Sequence, residues 1–241
     1  MNRAAGGFCI LTVGRAGSTS LMDRLAQYPD IAVPSKNIAC IDHELTHPAR
    51  IQAHAAAYAQ LCGRSVTTPE QLIDCFFEFN RGAAFAGFKT MPNRHKDLGA
   101  LVSRPDIQFI TLTRLDLAST VASFLMAMTT ESWRRSGGPQ TARWKFDFQR
   151  DAPAVLGNLR YVVRSHAQLS QVPHAIALVY EDLCDPTFSS KEPDTFFGRG
   201  IRLDDPQPPT SAETYVANWQ EFRTFVDEAQ RQMAAVTPRR T

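Results

Sequence analysis

The sequence predicts an α/β fold of three layers, with a central, mostly parallel sheet flanked by helices. Three observations predict it. Short apolar runs recur along the chain and alternate with segments of helical periodicity, the pattern of βαβ units. The first run, Phe8 to Val13, passes through Gly14 and Gly17 into a helix that opens on Ser18, Thr19 and Ser20. Arg15, Lys89 and Arg114 each follow an apolar run, and in a parallel sheet the carboxyl ends of the strands share one ligand-binding edge.

Each element has its own signal. Phe8, Cys9, Ile10, Leu11 and Val13 form the partly β-branched run expected of a strand covered on both faces. The helix from Ser18 stops at Tyr28-Pro29-Asp30, and Ile31 to Val33 reads as a short second strand. Ser35 to Pro48 is polar and irregular, whereas Ala49 to Leu61, rich in Ala and Gln, reads as helix. Thr67-Thr68-Pro69-Glu70 supplies an N-cap with Pro at the first helical position, opening a helix through Phe79. Ala83 to Lys89 reads as a core strand, and Met91-Pro92-Asn93 leads into a short helix ending near Val102. Asp106 to Thr113 is the clearest internal strand, followed by a helix that Asp116 caps and that runs to about Met128. Thr129 to Arg150 reads as a lid or acceptor loop, and Trp133, Arg134, Arg135 and Trp144 fit either its lining or a packed flap. Helical periodicity returns from Pro153 to Gln171, His174 to Tyr180 is the last strand, and Ser189 to Pro209 is rich in Gly, Pro and charge. Ala212 to Val236 closes the sequence as an amphipathic helix.

Composition bounds the function. The 241 residues suffice for a sizeable core and are read as a single domain. A formal net charge of +2 gives no global reason to expect nucleic acid or an anionic membrane as partner, so any basic function is local. Cys9, Cys40, Cys62, Cys75 and Cys184 form an odd set without C-x-x-C, which reads as reduced thiols in a cytoplasmic protein. No segment has the length of a signal core or a spanning helix. The oligomeric state is open, a homodimer included.

Three chemistries compete for the glycine turn and its neighbours. A glycine turn at a helix N-terminus, with Arg15 beside it, is an anion site. A phosphate-loop kinase would need G-x-x-x-x-G-K-[ST], and no Lys precedes the hydroxyl pair Ser18-Thr19. Nor does an apolar strand end in the Asp that would hold Mg²⁺. His43-Glu44-Leu45-Thr46-His47 satisfies H-E-x-x-H, which on a helix would place two imidazoles on Zn²⁺ with Glu44 as base. Pro48 directly after the second His sits badly in a continuing helix.

The third reading is a resemblance. Arg15-Ala16-Gly17-Ser18-Thr19-Ser20-Leu21, followed by Tyr28-Pro29-Asp30-Ile31, resembles the 5′-phosphosulfate loop of sulfotransferases that use 3′-phosphoadenosine 5′-phosphosulfate, PAPS. Thr113-Arg114-Leu115-Asp116 through Ser123 is similar to their 3′-phosphate motif, and Gly87-Phe88-Lys89-Thr90-Met91-Pro92 to the Lys-Thr-Pro segment of the bacterial and carbohydrate-type branch. The match covers the first half of the sequence well and the C-terminal third loosely. It implies a P-loop-like fold, PAPS as donor with adenosine 3′,5′-bisphosphate as product, and sulfuryl transfer without a metal to a hydroxyl of a small molecule or sugar. It implies that Arg15, Ala16, Gly17, Ser18, Thr19 and Ser20 hold the phosphosulfate and that Arg114 and Ser123 hold the 3′-phosphate. Ser119, one helical turn before Ser123, competes for that role, because the spacing from Arg114 to Ser123 is one residue longer than in many members. Lys89, with Lys36 as second candidate, would neutralise the leaving phosphate. The carboxylate that carbohydrate-type members carry after the second strand is replaced by Pro34-Ser35-Lys36-Asn37. The base must then come from Asp42, His43 or Glu44, and Glu44 is chosen, with His43 second. A small-molecule kinase and a nucleotide-binding protein that has lost its base remain the alternatives.

Overall fold

The computed structural model describes residues 6–38, 43–95, 97–130, 144–185, 187, 191–200 and 216–236. Among the described residues five strands, β1 (Gly6–Thr12), β2 (Ile31–Ala32), β3 (Phe85–Thr90), β4 (Ile107–Thr113) and β5 (Ile176–Val179), form one sheet in the order β2-β3-β1-β4-β5. Every pairing among them is parallel, so the sheet is all-parallel where a mostly parallel one was expected. The helices are α1 (Ser18–Leu25), α2 (Pro34–Asn37), α3 (Ile51–Cys62), α4 (Pro69–Phe79), α5 (Leu98–Val102), α6 (Leu117–Thr130), α7 (Phe148–Leu169), α8 (Tyr180–Cys184), α9 (Lys191–Phe197) and α10 (Trp219–Val236).

Alternation along the strands builds the three layers. Phe8, Ile10, Ile110, Leu112, Ile176 and Leu178 share one buried cluster with Met22 of α1, Val121 of α6, Leu159 of α7 and Phe222 of α10. Cys9, Leu11, Ala86, Phe88, Ile107 and Phe109 belong to a second cluster with Tyr58 of α3, Phe76 of α4 and Leu101 of α5. A strand apolar at every position is therefore what a sheet with helices on both faces requires. The central pair is tight: Phe8 pairs in register with Gly87, and a Cβ on Gly87 would stand inside contact with the Phe8 ring.

The capping signals hold locally. Thr68 and Gln71 form a reciprocal capping box at the start of α4, with Pro69 in the first turn. Asp116 accepts from the Ser119 amide at the head of α6. Two expectations change. α7 starts at Phe148, ahead of the predicted Pro153, because Asp147 accepts from the Arg150 amide and caps it. Pro153 is exposed inside the helix, so the carbonyl it leaves without a donor can meet water. The polar stretch after Val33 contains α2, with Pro34 in its first turn.

The predicted lid falls mostly on 131–143, which lie outside the described residues, as do Trp133, Arg134 and Arg135. Trp144 takes the packed alternative. It bridges to Val216 and packs edge-on against Phe146 and Phe222, joining the core beneath α10. No described helix is long and apolar enough to cross a membrane.

Gly87→Ala should lower the unfolding free energy by about 1–3 kcal/mol, the usual effect of overpacking a filled core. Chemical denaturation measures it, and an unchanged midpoint would contradict the Phe8–Gly87 packing.

Candidate functional site

The site begins where β1 meets α1. Arg15 and Gly17 both take left-handed backbone angles, φ 68° and 81°. Gly17 is the N-cap residue of α1, so Ser18, Thr19 and Ser20 occupy the first helical turn. A side chain could not replace glycine here, because its Cβ would enter the ring of Tyr180. Gly17 supplies no side chain to cap the α1 amides. A first turn entered through glycine leaves its amides and dipole to favour an anion.

The hydroxyls of that turn have another partner. Lys89, at the carboxyl end of β3, is 2% exposed. A buried ammonium requires polar partners, and its Nζ donates to Thr19 Oγ1 at 2.8 Å and to Ser18 Oγ at 3.4 Å. Ala16 is fully buried behind the turn and Ser20 is exposed on it. Arg15 Nε donates to Ser123 Oγ at 2.9 Å across the mouth of the turn. Ser123 is thereby joined to the turn, while Ser119 Oγ donates to Asp116 Oδ2 at 2.6 Å within its own helix cap. Of the two serines, Ser123 thus meets the turn and Ser119 is engaged in its own helix cap.

Arg114 lies one strand away, at the end of β4, and is 8% exposed. Its guanidinium lies 5.2 Å from the centroid of the Tyr180 ring, the same ring that closes on Gly17. Tyr180 thus links the turn to Arg114. Burial, with Cys184 beside it, pushes the Tyr180 phenol up to about 12, so it stays protonated at neutral pH. Glu181 follows it. Its carboxylate accepts from the amides of Leu115 and Asp116, each at 3.1 Å, and lies 3.9 Å from Arg114 Nε.

His43 and Glu44 reach the same edge from the opposite side. Glu44 forms an isolated parallel bridge with Lys89 and is 2% exposed. Its Oε2 accepts from Arg94 Nη1 at 2.7 Å. His43 has φ 57° and is buried; its Nε2 donates to Asp23 Oδ1 at 2.7 Å, and Asp23 lies one turn beyond Thr19 on α1. Left-handed non-glycine residues are strained and gather at functional sites. Two of the three among the described residues, Arg15 and His43, are residues the sequence singled out.

The H-E-x-x-H segment, which Pro48 spoke against as a helix, is not a helix here: His43 pairs with Asp23, and His47 Nδ1 accepts from the Ala49 amide. Among the described residues no three His, Cys, Asp or Glu side chains are grouped to hold a metal. Lys36 is not at the site, because its Nζ donates to the carbonyls of Tyr28 and Ile31 at 2.8 and 2.6 Å. Burial lowers its pKa accordingly. Asp42 lies outside the described residues. A cavity of about 350 Å³ lined by Glu70, Asp74, His95 and Arg104 contains none of the predicted site residues; the chemistry gathers at the strand ends.

The sequence missed Arg94, Tyr161, Tyr180 and Glu181. Tyr161 on α7 donates to Asn93 Oδ1 at 3.2 Å and packs against Phe124, walling the turn on the α6 side; burial raises its pKa. Tyr180-Glu181 stands at a strand end, which is the signal that could have found it. Arg94 and Tyr161 are brought in by tertiary folding and carry no local motif. Compared with models of known protein families and with curated proteins, the chain matches none.

Arg94→Ala should cost about 3 kcal/mol of stability, because it strands the Glu44 carboxylate without its partner. Glu44→Gln should cost less, since Arg94, at 30% side-chain exposure, can reach water. Equal small losses in thermal denaturation would contradict a buried, paired Glu44.

Proposed function

We propose that this protein transfers a sulfuryl group from PAPS to a hydroxyl of a small molecule or sugar. The observation that carries the reading is the first turn of α1, entered through glycine, whose hydroxyls converge on the buried Lys89 while Arg15 lies across its mouth. PAPS carries a phosphosulfate and a separate 3′-phosphate, so it needs two cationic seats on one edge. The turn offers one and Arg114 the other, with Tyr180 between them.

The residues then have distinct roles. The amides and hydroxyls of Ser18, Thr19 and Ser20, with Arg15, hold the phosphosulfate, while Ala16 and Gly17 let the backbone approach it. Lys89, already within reach of Thr19 Oγ1, neutralises the charge that develops on the leaving phosphate. Arg114 binds the 3′-phosphate and Ser123 ties that region to Arg15. Glu44 takes the acceptor's proton as the acceptor oxygen bonds to sulfur and the sulfur–oxygen bond to the nucleotide breaks, releasing adenosine 3′,5′-bisphosphate. Arg94 holds Glu44 through one oxygen, and His43, held by Asp23, is the second candidate for the proton. The cations Arg15, Lys89 and Arg114 supply the charge that this transfer requires, so the proposal invokes no metal.

Adenosine 3′,5′-bisphosphate should raise the melting temperature of the protein and ATP–Mg²⁺ should not; a ligand at one hundred times its Kd stabilises by about 2.7 kcal/mol. Arg15→Ala should remove most of the shift, and labelled PAPS with a panel of hydroxyl acceptors should yield a sulfated product that Lys89→Ala does not form. Stabilisation by ATP–Mg²⁺ alone would replace this reading with a kinase. Nucleotide binding without any transfer would leave a binding protein that lacks its base.

A further inference from the structure

At the head of α6 the chain builds an anion seat and fills it with its own carboxylate. The seat consists of the Leu115 and Asp116 amides, with Arg114 beside them. Glu181 Oε2 accepts from the Leu115 amide and Oε1 from the Asp116 amide, each at 3.1 Å. Arg114 faces the same oxygen from 3.9 Å, beyond hydrogen-bond reach, and its buried Nε has no hydrogen-bond partner among the described residues. A guanidinium that is nine-tenths buried with an unmet donor is costly. The seat is therefore electrostatically filled but geometrically incomplete.

We infer that Glu181 is a tethered placeholder for the 3′-phosphate of the nucleotide, displaced when that phosphate binds; this rests on the functional reading above. The side chain of Glu181 is 36% exposed, so it can swing into water without unpacking the core. A phosphomonoester carries close to two negative charges and three acceptor oxygens, enough to satisfy both amides and complete the unmet Arg114 donor. A singly charged group offers no more charge than the carboxylate and must compete with a tethered rival at high effective concentration. The seat thus selects a terminal phosphate monoester and rejects carboxylates and phosphodiesters. Discrimination at this position comes from an acid on the chain itself, a role that the motif around Arg114 does not reveal.

The test measures binding of adenosine 3′,5′-bisphosphate and of adenosine 5′-monophosphate to the wild type, Glu181→Gln and Glu181→Ala. Glutamine keeps an acceptor for the α6 amides and removes the charge. The bisphosphate should bind about tenfold more tightly to Glu181→Gln, the scale of one screened charge contact. The monophosphate, which has no 3′-phosphate, should change less than about twofold by the same reasoning. Glu181→Ala should tighten bisphosphate binding too, and melting curves of both variants check that the fold is kept. Weaker or unchanged bisphosphate binding in Glu181→Gln would overturn the placeholder, making Glu181 a fixed support for Arg114, while wild-type binding would leave the functional reading standing. An equal gain for the monophosphate would also overturn it. Failure of all three proteins to bind the bisphosphate would remove the functional reading and the placeholder with it.

Discussion

The buried ammonium of Lys89 is the interaction on which the site depends. It stands at the end of β3 and can be buried there because Thr19 and Ser18 accept from it. Those hydroxyls are in reach because Gly17, in a left-handed conformation, turns the chain from β1 straight into α1. The turn is possible because β1 lies in the middle of the sheet, between β3 and β4. Parallel pairing on both sides of β1 then sets Lys89 and Arg114 on either flank of the turn, as the Ile10–Lys89 register and the Thr12–Leu112 register show. One lysine, one glycine and one strand order thus gather three cations that the sequence scatters over a hundred residues.

The site is charged in both senses. Glu44, Asp23 and Glu181 each stand beside one of its basic or hydrogen-bonding groups. Arg94 holds Glu44, and Glu181 covers the head of α6, so the cations of the edge do not face one another uncompensated. This arrangement keeps a strongly basic edge stable before ligand arrives. It also means that an anionic ligand exchanges with carboxylates of the chain as well as with water.

The fold was legible in the sequence because both of its signals are local. Largely apolar runs such as Phe8 to Val13 and Ile107 to Thr113 mark strands covered on two faces, and Thr68-Pro69 and Asp116 mark helix starts. The turn from Gly14 to Ser20 and the strand-end cations Lys89 and Arg114 were legible for the same reason: each is defined by neighbours a few residues away. What was not legible depends on distant contacts. Trp144, which fitted a lid lining or a packed flap alike, is a core residue because α10 returns to cover it. Lys36 looked like a site cation until the carbonyls of Tyr28, after α1, and Ile31, at the start of β2, claimed it. Arg94, Tyr161 and Tyr180 gain their places from pairings tens of residues long. Pro153 misled because proline suits a helix start, and the Asp147 cap lies outside the apolar periodicity.

The central claim is that one nucleotide spans two seats on the carboxyl edge of the sheet. A crystal structure with adenosine 3′,5′-bisphosphate tests it most directly. The account predicts the 5′-phosphate on the first-turn amides of α1, within reach of Arg15 and Lys89, and the 3′-phosphate on Arg114 with Glu181 turned away. A nucleotide bound anywhere else, such as the cavity lined by Glu70 and His95, or phosphates bound with the α1 turn left empty, would contradict it.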